Sequence, residues 1–552
     1  MTHTTTLAKQ YRQQVVDELP PHVLRARLDA TPRSNVTRLV AELKLLSQRQ
    51  LDITGLDAVD LLAQIAARTY TSEEVVIAFA YRAAYAHRLT CCLTGMWLDK
   101  AVQRARELDH YLEKHGTTIG PLHGLPISVK DQFEVQGRIT SLSYLSKHVL
   151  AKPSPKSCSF VTLLEPLGAI TYVHTNLPQT IMHLESSSFW GTVLNPYNTS
   201  LTAGGSSGGE SALIAMRGSV LGLGTDIGGS VRPPAANCGL WSLRPTSSRL
   251  PSATAAVPGR HSIIGTAGPI ATSLRDLDLF LSLVLAEETR VWRRDASLLE
   301  MAWGVGRKGA WEGGSRKLRI GVMWDDGEVR PTRPIRRTLE GAVQRLTESE
   351  LVEVVDFEPW KMREGWEITR QLYFADGGKR IRDLLDESEV AEPLKPLTKW
   401  LLEDAGTEPL KDHSVHELWE LNIKRENYRS AFREHWNNSG VDVVLSPVAP
   451  NPPPRHGEAK WWSYTSHWNF ADHPALVFPT GLFVDATIDV EPTVPRDEWK
   501  NEDERFVHEH YSPEIYANAP LGLQLVARKY HDEEVIAAMR VIEGILFHKQ
   551  VQ

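Results

Sequence analysis

Two glycine- and serine-rich segments set the chemistry expected of this chain: Gly204-Gly205-Ser206-Ser207-Gly208-Gly209 and Gly224-Thr225-Asp226-Ile227-Gly228-Gly229-Ser230. A third segment, Gly124-Leu125-Pro126-Ile127-Ser128-Val129-Lys130-Asp131, precedes them and places a lysine at the end of a short apolar run. Amide hydrolysis needs a nucleophile, a base that activates it and donors for the oxyanion. Ser230, a relay from Lys130 through Ser206 and the backbone of the second segment offer a complete set of these groups.

Ser230 is the predicted nucleophile, because it ends the second segment directly after two glycines. Glycines let the backbone turn tightly and approach a ligand without obstruction by side chains. The successive N–H groups of Ile227, Gly228, Gly229 and Ser230 can then point at an oxyanion. The alternative is a glycine turn that only joins two buried elements.

Lys130 is the predicted base, since a lysine at the end of an apolar strand is expected to be buried. Burial without a carboxylate partner disfavours the charged form and lowers the pKa of the amine, which can then accept a proton. The alternative is an ordinary surface ion pair between Lys130 and Asp131.

Three neighbouring residues are predicted to support these groups. Asp226 and Arg232 flank the nucleophile, and an ion pair between them could brace its turn from outside the reacting atoms. The alternative is a buried pair with no effect on catalysis. Because a helical pattern begins at Glu210, Ser206 and Ser207 are also candidates for a helix N-cap, and Ser207 is assigned a supporting role.

The composition excludes several classes of function. The chain has 552 residues, 42% of them hydrophobic, which is ample for a large buried core, and a formal net charge of −7. It contains no block of five or more basic residues, so nucleic acid is not an expected partner. The polar start, Met1 to Thr6, leads into no apolar segment typical of a signal peptide, and no run of about 18 apolar residues predicts a membrane span.

The cysteines and histidines predict neither a disulfide framework nor a metal site. The four cysteines include no C-x-x-C motif, which favours a reduced, cytoplasmic compartment. No H-E-x-x-H motif or Cys/His cluster points to a metal, so no cofactor is expected. His183 is interpreted as a structural histidine.

The order of periodic segments predicts an α/β fold. Residues 1–70 read as helices, among them 37–48 and 55–68, and form an N-terminal helical layer. From Leu125 onward short apolar strands alternate with helices, which indicates a largely parallel or mixed sheet covered by helices. Residues 71–552 are predicted to form one large catalytic domain, with a polar insertion at about 487–520 over one face.

The chain resembles the amidase signature family. The segments GGSSGG and GTDIGGS and their separation match the central motif of that family, and Lys130 occupies the position of its catalytic lysine. Similarity to the fungal acetamidase-like branch, the general amidases, extends from about residue 60 to the C-terminus, through the segments Ala86-His87-Arg88-Leu89-Thr90, Thr175-Asn176-Leu177-Pro178-Gln179, Leu194-Asn195-Pro196-Tyr197-Asn198 and Leu521-Gly522-Leu523-Gln524-Leu525-Val526.

This resemblance implies a fold, a reaction and a triad. The fold is a central mixed β-sheet with helices on both faces, and the reaction is hydrolysis of a carboxylic amide to an acid plus ammonia or an amine. The family's triad is Ser–cisSer–Lys, so Ser206 is expected to follow a cis peptide bond. It would take the proton of Ser230 and pass its own to Lys130, while Ser230 forms the acyl-enzyme. The enzyme is expected to work on a small-molecule amide as a monomer or homodimer.

The substrate pocket is predicted from aromatic and apolar residues near the motifs. An uncharged amide with an apolar acyl side is expected, with graded selectivity, because each buried methylene contributes only about 1–3 kcal/mol of discrimination. The alternative is that these residues pack in the hydrophobic core and do not contact the substrate. The predicted pocket residues are Tyr144, Met182, Phe189, Trp190, Gly204, Gly205 and Trp468.

Two rival interpretations remain at the level of sequence. Gly204 to Gly208 also matches G-x-S-x-G, so Ser206 could be the nucleophile of an α/β-hydrolase-like esterase. That elbow needs an apolar strand directly before it, whereas 195–200 is polar and turn-like. The other rival is an amidotransferase subunit that depends on partner chains. The segments matched above are those of the stand-alone fungal branch.

Overall fold

The apolar runs of the sequence come together in one large sheet. The computed structural model describes residues 3–28, 34–251, 253–254, 258–304, 311, 316–387, 390–490 and 494–547. The strands in this part of the chain are β1 (Leu93–Met96), β2 (Pro126–Lys130), β3 (Ile170–Thr175), β4 (Ser187–Ser188), β5 (Gly191–Thr192), β6 (Leu221–Asp226), β7 (Trp241–Arg244), β8 (Thr266–Ala271), β9 (Leu318–Val322), β10 (Val352–Asp356), β11 (Val443–Pro447), β12 (Ala475–Phe483) and β13 (Pro520–Val526).

Helices account for most of the remaining regular structure. Those in the described ranges are α1 (His3–Asp17), α2 (Pro21–Arg25), α3 (Leu39–Glu42), α4 (Gln48–Gly55), α5 (Ala58–Ala66), α6 (Ser72–Thr90), α7 (Leu98–His115), α8 (Leu145–Leu150), α9 (Ser159–Leu167), α10 (Gly208–Ala215), α11 (Arg232–Asn237), α12 (Leu274–Val284), α13 (Arg333–Thr347), α14 (Met362–Tyr373), α15 (Lys379–Leu385), α16 (Pro396–Glu403), α17 (Val415–Ser439), α18 (Ser463–Ala471), α19 (Glu502–Glu509) and α20 (Asp532–Phe547).

The sheet is mixed, as the sequence predicts. Its eleven strands lie in the order β1-β3-β2-β6-β8-β7-β12-β13-β11-β9-β10, and β4 pairs with β5 in a separate ribbon. Pairing is parallel along β3-β2-β6 and along β11-β9-β10. The other neighbours are antiparallel. All five residues of β2 are buried, which is typical of a parallel strand covered on both faces.

Parallel pairing in the middle of the sheet positions the site. In the register of β2 and β6, Ile127 lies opposite Leu221 and Val129 opposite Leu223. The carboxyl ends of two parallel neighbours lie at the same edge of a sheet. Lys130, the last residue of β2, and the turn that follows Asp226 at the end of β6 are therefore brought together.

The N-terminal helices share the core of the sheet. Buried side chains of this layer, such as Val23 and Leu61, belong to the same apolar cluster as Ile127 and Val129 of β2. The helix predicted at 37–48 is wrong as a single element. Lys44 adopts a left-handed φ of 52°, which ends the short α3, and α4 begins afresh at Gln48.

Part of the predicted insertion, 487–520, is described. It contains α19, which is joined to the body of the protein by ion pairs from Arg330 to Glu504 (2.8 Å) and from Arg363 to Asp503 (2.9 Å). Within the described ranges, no helix combines the length and the apolar character needed to cross a bilayer.

Candidate active site

Lys130 is completely buried and faces the first serine segment. Its Nζ donates to Ser206 Oγ at 2.6 Å and to Thr225 Oγ1 at 3.0 Å. Thr225 in turn donates to Gln132 Oε1 at 2.7 Å. The alternative of a surface ion pair with Asp131 is wrong, because the Asp131 carboxylate is buried and accepts hydrogen bonds from Ser141 instead.

The environment of Lys130 favours the neutral amine. Burial lowers the pKa of Lys130 from its ordinary value of 10.5 to about 7, although the negative charges of Asp226 and Glu210 act in the opposite direction. A base with a pKa near the working pH is both available and strong enough to accept a proton. Near neutral pH the neutral form of Lys130 is therefore accessible and able to act as a base.

The first serine segment packs against backbone on two sides. The Gly205–Ser206 peptide bond is cis. A Cβ on Gly205 would lie 2.4 Å from the carbonyl oxygen of His183, and a Cβ on Gly209 would lie 2.4 Å from the backbone N and O of Asn176. Any side chain at positions 205 and 209 would collide with this neighbouring backbone, which explains why both residues are glycine. Ser186, to which the sequence analysis assigned no catalytic or supporting role, accepts from Gly208 N and donates to Gly204 O.

The two serines of this segment have different surroundings. Ser206 Oγ contacts Lys130, whereas α10 begins at Gly208 with Ser207 in the cap position. The N-cap alternative is therefore wrong for Ser206, whereas Ser207 does occupy the N-cap position, although its side chain makes no capping bond. Ser207 N donates to Ser230 O at 3.0 Å, and this backbone bond ties the first segment to the second.

We expect Gly209→Ala to destabilise the protein. The new methyl group would push α10 away from Asn176, and overpacking of this kind costs about 1–3 kcal/mol. Gly341→Ala is the matched control, because Gly341 is an exposed position in α13 with no atom within 4 Å of the added Cβ. There alanine should gain about 0.5–1 kcal/mol of stability. Parallel thermal melts should show opposite shifts, and equal shifts would contradict this account of the close approach.

The turn before Ser230 is held by its carbonyl groups. The carbonyl of Ile227 accepts from the Tyr373 hydroxyl, and that of Gly228 accepts from Trp462 Nε1 at 2.5 Å and Thr465 Oγ1 at 2.8 Å. Gly229 has a left-handed φ of 128°, a conformation that favours glycine. With its carbonyls anchored in this way, the turn is fixed before any substrate binds.

The predicted oxyanion donors are not all equivalent. Gly229 N already donates to Asp226 Oδ1 at 2.7 Å. The N–H groups of Ile227, Gly228 and Ser230 have no acceptor among the described residues. Three of the four predicted donors are thus uncommitted in this structure.

Asp226 and Arg232 form a fully buried ion pair behind the turn. Arg232 Nε donates to Asp226 Oδ2 at 3.0 Å, and Arg232 Nη2 also reaches Asn469 Oδ1 at 2.5 Å. Burial alone would raise the pKa of Asp226, but the Arg232 charge holds it below its ordinary value. Because Asp226 also accepts from the N–H groups of Gly229 and Val231, the pair fixes the backbone on both sides of Ser230.

Ser206 and Ser230 line one cavity of about 250 Å³. A larger cavity of about 560 Å³ lies beside α7 and β3 and contains none of the predicted catalytic residues. The apolar wall of the smaller cavity is formed by Ile181, Met182, Ile227, Leu250, Ile263 and Ile264.

Among the predicted pocket residues, only Met182 lines this cavity. The Phe189 and Trp190 rings pack against each other and against His148, and Trp190 Nε1 donates to Ser141 Oγ. Trp468 is fully buried in an aromatic cluster with Phe432, Trp436 and His473. Apolar rings near a motif in sequence thus pack into the core.

The remaining predicted residues lie behind the cavity wall. Tyr144 is fully buried, and its hydroxyl has no partner among the described residues. Gly204 and Gly205 approach other backbone or the Pro234 ring and are not part of the cavity wall. His183 is buried, and burial lowers its pKa to about 4, so it is neutral at pH 7.

The comparisons with known proteins agree with this geometry. The profile of the family described as Amidase matches residues 74–536. A relative from Schizosaccharomyces pombe is 40% identical over 519 residues, with 93% of each chain covered. The protein named Acetamidase from Emericella nidulans is 36% identical over 515 residues, with 91% of each chain covered.

A solved structure extends the likeness to three dimensions. The structure titled Fatty acid amide hydrolase superposes with a TM-score of 0.90 at 36% sequence identity, covering 98% of this chain and 95% of the other. With a family match over most of the chain and relatives above 30% identity, this chain belongs to the amidase signature family and is a hydrolase of amide carbon–nitrogen bonds.

Proposed function

We propose that the protein hydrolyses its amide through an acyl-enzyme on Ser230, with Ser206 and Lys130 as the proton relay. The observation that carries this proposal is the 2.6 Å contact between Lys130 Nζ and Ser206 Oγ, in the wall of the cavity that also contains Ser230. A weak hydroxyl nucleophile needs an adjacent base, and the buried amine supplies one.

The first half of the reaction forms the acyl-enzyme. The neutral amine of Lys130 takes the proton of Ser206, which takes the proton of Ser230 as its oxygen attacks the amide carbon. The N–H groups of Ile227, Gly228 and Ser230 stabilise the oxyanion. When the carbon–nitrogen bond breaks, the proton returns through Ser206 to the leaving nitrogen, so ammonia or an amine departs.

The second half restores the enzyme. A water molecule replaces the amine and gives its proton to the same relay while its oxygen attacks the ester carbon of acyl-Ser230. The ester bond breaks, Ser230 recovers a proton from Ser206, and the carboxylic acid leaves. The same donors stabilise the second oxyanion, so one set of residues serves both steps.

The rival with Ser206 as nucleophile has less support. A nucleophile elbow follows a strand directly, and 193–205 contains no strand. Two relatives, each matched over 91% of this chain, are named Acetamidase, a name that mentions no partner subunit, which supports a stand-alone amidase. We propose that it works as a monomer or homodimer on a small-molecule amide, without nucleic acid. The four cysteines are free thiols, which suits a reducing compartment such as the cytoplasm.

The names of the relatives do not specify which acyl group the substrate of this chain carries. One is an acetamidase and another a fatty acid amide hydrolase, so the same machinery is found with short and with long acyl groups. Selectivity in this chain must therefore come from its own cavity wall.

We also propose that the chain is divided into an N-terminal helical layer, residues 1–70, and one catalytic domain, residues 71–552.

Site mapping with a fluorophosphonate probe tests the proposal. We expect the purified protein to hydrolyse a simple aryl amide, and mass spectrometry of the labelled protein to find the probe on Ser230. The label should persist, at a lower rate, in Ser206→Ala, because the nucleophile is still present. Label on Ser206, or label that persists in Ser230→Ala and disappears in Ser206→Ala, would establish the elbow mechanism instead.

A further inference from the structure

The cavity wall contains a cation that forms no ion pair with a carboxylate of the described residues. Arg260 lines the same cavity as Ser206 and Ser230. Its Nη1 donates to the Tyr373 carbonyl at 3.0 Å, and its Nη2 lies 3.8 Å from the sulfur of Met182, a weak acceptor. Within the described ranges no Asp or Glu forms an ion pair with Arg260.

The partly buried Arg260 differs from the fully buried arginines, whose guanidinium groups have partners within the protein. Arg370 donates to the carbonyls of Leu401, Leu402 and Glu408, and three others are paired with carboxylates. Arg232 pairs with Asp226 at 3.0 Å, Arg244 with Asp472 at 2.6 Å and Arg249 with Glu533 at 2.8 Å. A buried charge without a partner is costly, so such groups are normally paired. The protein therefore satisfies these cations itself and leaves the guanidinium in the catalytic cavity open to a ligand.

The free donors of Arg260 suit a carboxylate. A guanidinium has five N–H donors in a fork that matches a carboxylate in two parallel hydrogen bonds. The contacts with Tyr373 and Met182 use two of these donors. The nearby hydroxyl of Thr180, which also lines the cavity, is buried and has no partner among the described residues. Arg260 and Thr180 thus line the same cavity.

The position of Arg260 relative to the reacting serine fits a substrate-recognition role. Tyr373 connects the two: its carbonyl accepts from Arg260, and its hydroxyl donates to the carbonyl of Ile227 in the oxyanion turn. The distance from the Arg260 guanidinium to the oxyanion turn is therefore about the length of one tyrosine residue, from its carbonyl oxygen to its hydroxyl. The carboxylate among the cavity-lining residues, Asp226, is already paired with Arg232, and Asp376 acts on the charge of Arg260 from a distance without forming an ion pair with it.

We propose that the preferred substrates are amides that carry a carboxylate, and that Arg260 binds this group. The inference rests on the proposed function, because it places the scissile amide at Ser230. It replaces the expectation of an uncharged substrate with an apolar acyl side: the apolar wall would hold the connecting methylenes and Arg260 the anionic end. The carboxylate could belong to the acyl part, as in a dicarboxylic acid monoamide, or to the leaving amine, as in an N-acyl amino acid.

Isosteric substrate pairs test this proposal and separate the two sources. Glutaric acid monoamide is compared with 5-methylhexanamide, and N-acetylglycine with N-isobutylacetamide, since an isopropyl group has the shape of a carboxylate without its charge. We expect kcat/KM to favour the carboxylate member of one pair by at least tenfold. The pair that shows the preference identifies the part of the substrate that Arg260 contacts.

Variants then assign the preference to Arg260. Arg260→Gln should lower the carboxylate-to-isostere ratio of kcat/KM at least tenfold, and a ratio cancels any general loss of activity or of folded protein. Arg260→Lys, which keeps the charge, should retain part of the preference. Arg294→Gln, at an exposed arginine, is the matched control and should leave the ratio unchanged.

The outcomes distinguish this proposal from the proposed function. A ratio near one in both pairs, or a ratio that Arg260→Gln does not change, would overturn the role of Arg260 while Ser230 is still labelled by the probe. Failure of labelling at Ser230 in the wild-type protein would instead overturn the acyl-enzyme itself.

Discussion

Ser230→Ala should lower kcat for amide hydrolysis by on the order of 10³-fold or more, as the loss of a triad nucleophile does in other serine hydrolases. The expected loss is catalytic alone, because Ser230 Oγ makes no hydrogen bond to any described residue and its removal leaves no buried partner unsatisfied. Steady-state rates measured beside thermal melts should therefore show a large fall in kcat with an unchanged melting temperature.

A second serine variant provides the control for this measurement. Ser219 is also fully buried, but it lies before the N-terminal end of β6 and donates to Leu221 O at 2.9 Å, away from the cavity. Ser219→Ala should cost about 1 kcal/mol of stability through the lost hydrogen bond and leave kcat within about threefold. A similar fall in kcat for both variants would show that packing, not nucleophilic chemistry, explains the effect.

The proton relay through Ser206 also predicts how the Ser206 and Ser230 variants combine in their effect on kcat. Residues that act as one unit have strongly non-additive effects on kcat. The double variant Ser206→Ala, Ser230→Ala should therefore be about as inactive as Ser230→Ala alone. Multiplication of the two single effects would mean that Ser206 acts independently of Ser230, contrary to the relay.

The local elements around the site could be predicted from sequence because their signals are local. The strand predicted at 126–129 is confirmed as β2, and the helix predicted after the first glycine segment is confirmed as α10, two residues earlier than expected. A short apolar run and a glycine-rich start are enough to specify these elements. The contact between Lys130 and Ser206 also agrees with the spacing of the motifs.

The centre of the sheet was harder to predict because it depends on distant pairing. Strand β8, Thr266 to Ala271, contains both glycine and proline and has no clear alternation, so the sequence analysis did not identify it. It forms because every residue of β6 from Leu221 to Asp226 pairs with it. Strand β8 is thus specified by a partner strand forty to fifty positions away in the sequence, and local patterns do not carry that information.

The prediction of the substrate-pocket residues was wrong for a different physical reason. Hydrophobic type and closeness to a motif do not specify where a side chain points, and large rings gain most by packing together in the core. Trp190 and Trp468 did so. Arg260 carried no sequence signal, since only the folded chain shows that it forms no ion pair with a described carboxylate while Arg232 and Arg244 do.

The other large effect expected is on the pH dependence of Lys130 variants. If the neutral amine is the base, kcat/KM of the wild-type protein should fall tenfold per pH unit below about 7, the pKa that burial produces, and should level off above it. Lys130→Ala should lower kcat/KM at pH 7 by on the order of 10³-fold and remove this inflection. Activity should then recover partly under alkaline conditions, where hydroxide helps to deprotonate the serine.

Lys114→Ala is the control for this profile, because Lys114 is an exposed lysine on α7. Its pH–rate profile should match that of the wild-type protein. An inflection near pH 7 that persists in Lys130→Ala would show that another group titrates there and that Lys130 is not the base.

The same lysine should also be unfavourable for folding, and this gives a measurement independent of activity. Burial lowers the pKa of Lys130 from 10.5 to about 7, and each unit corresponds to about 1.36 kcal/mol, so the cost is on the order of 5 kcal/mol. Between pH 7 and 10.5 the unfolded chain holds a proton that the folded protein lacks. The contribution of this group to stability therefore rises with pH across that window, and its cost is fully present below pH 7.

Lys130→Met keeps the length and packing of the side chain while removing the titrating amine. At pH 7 it should raise the melting temperature, and this gain should shrink as the pH approaches 10.5, because the burial cost in the wild-type protein then disappears. The lost contacts with Ser206 and Thr225, at about 1 kcal/mol each for hydrogen bonds of a neutral amine, reduce the gain without cancelling it. A variant that is more stable and inactive would show that the chain tolerates a buried amine for its chemistry, whereas a lower melting temperature at every pH would mean that Lys130 is a stabilising, charged residue and not a neutral base.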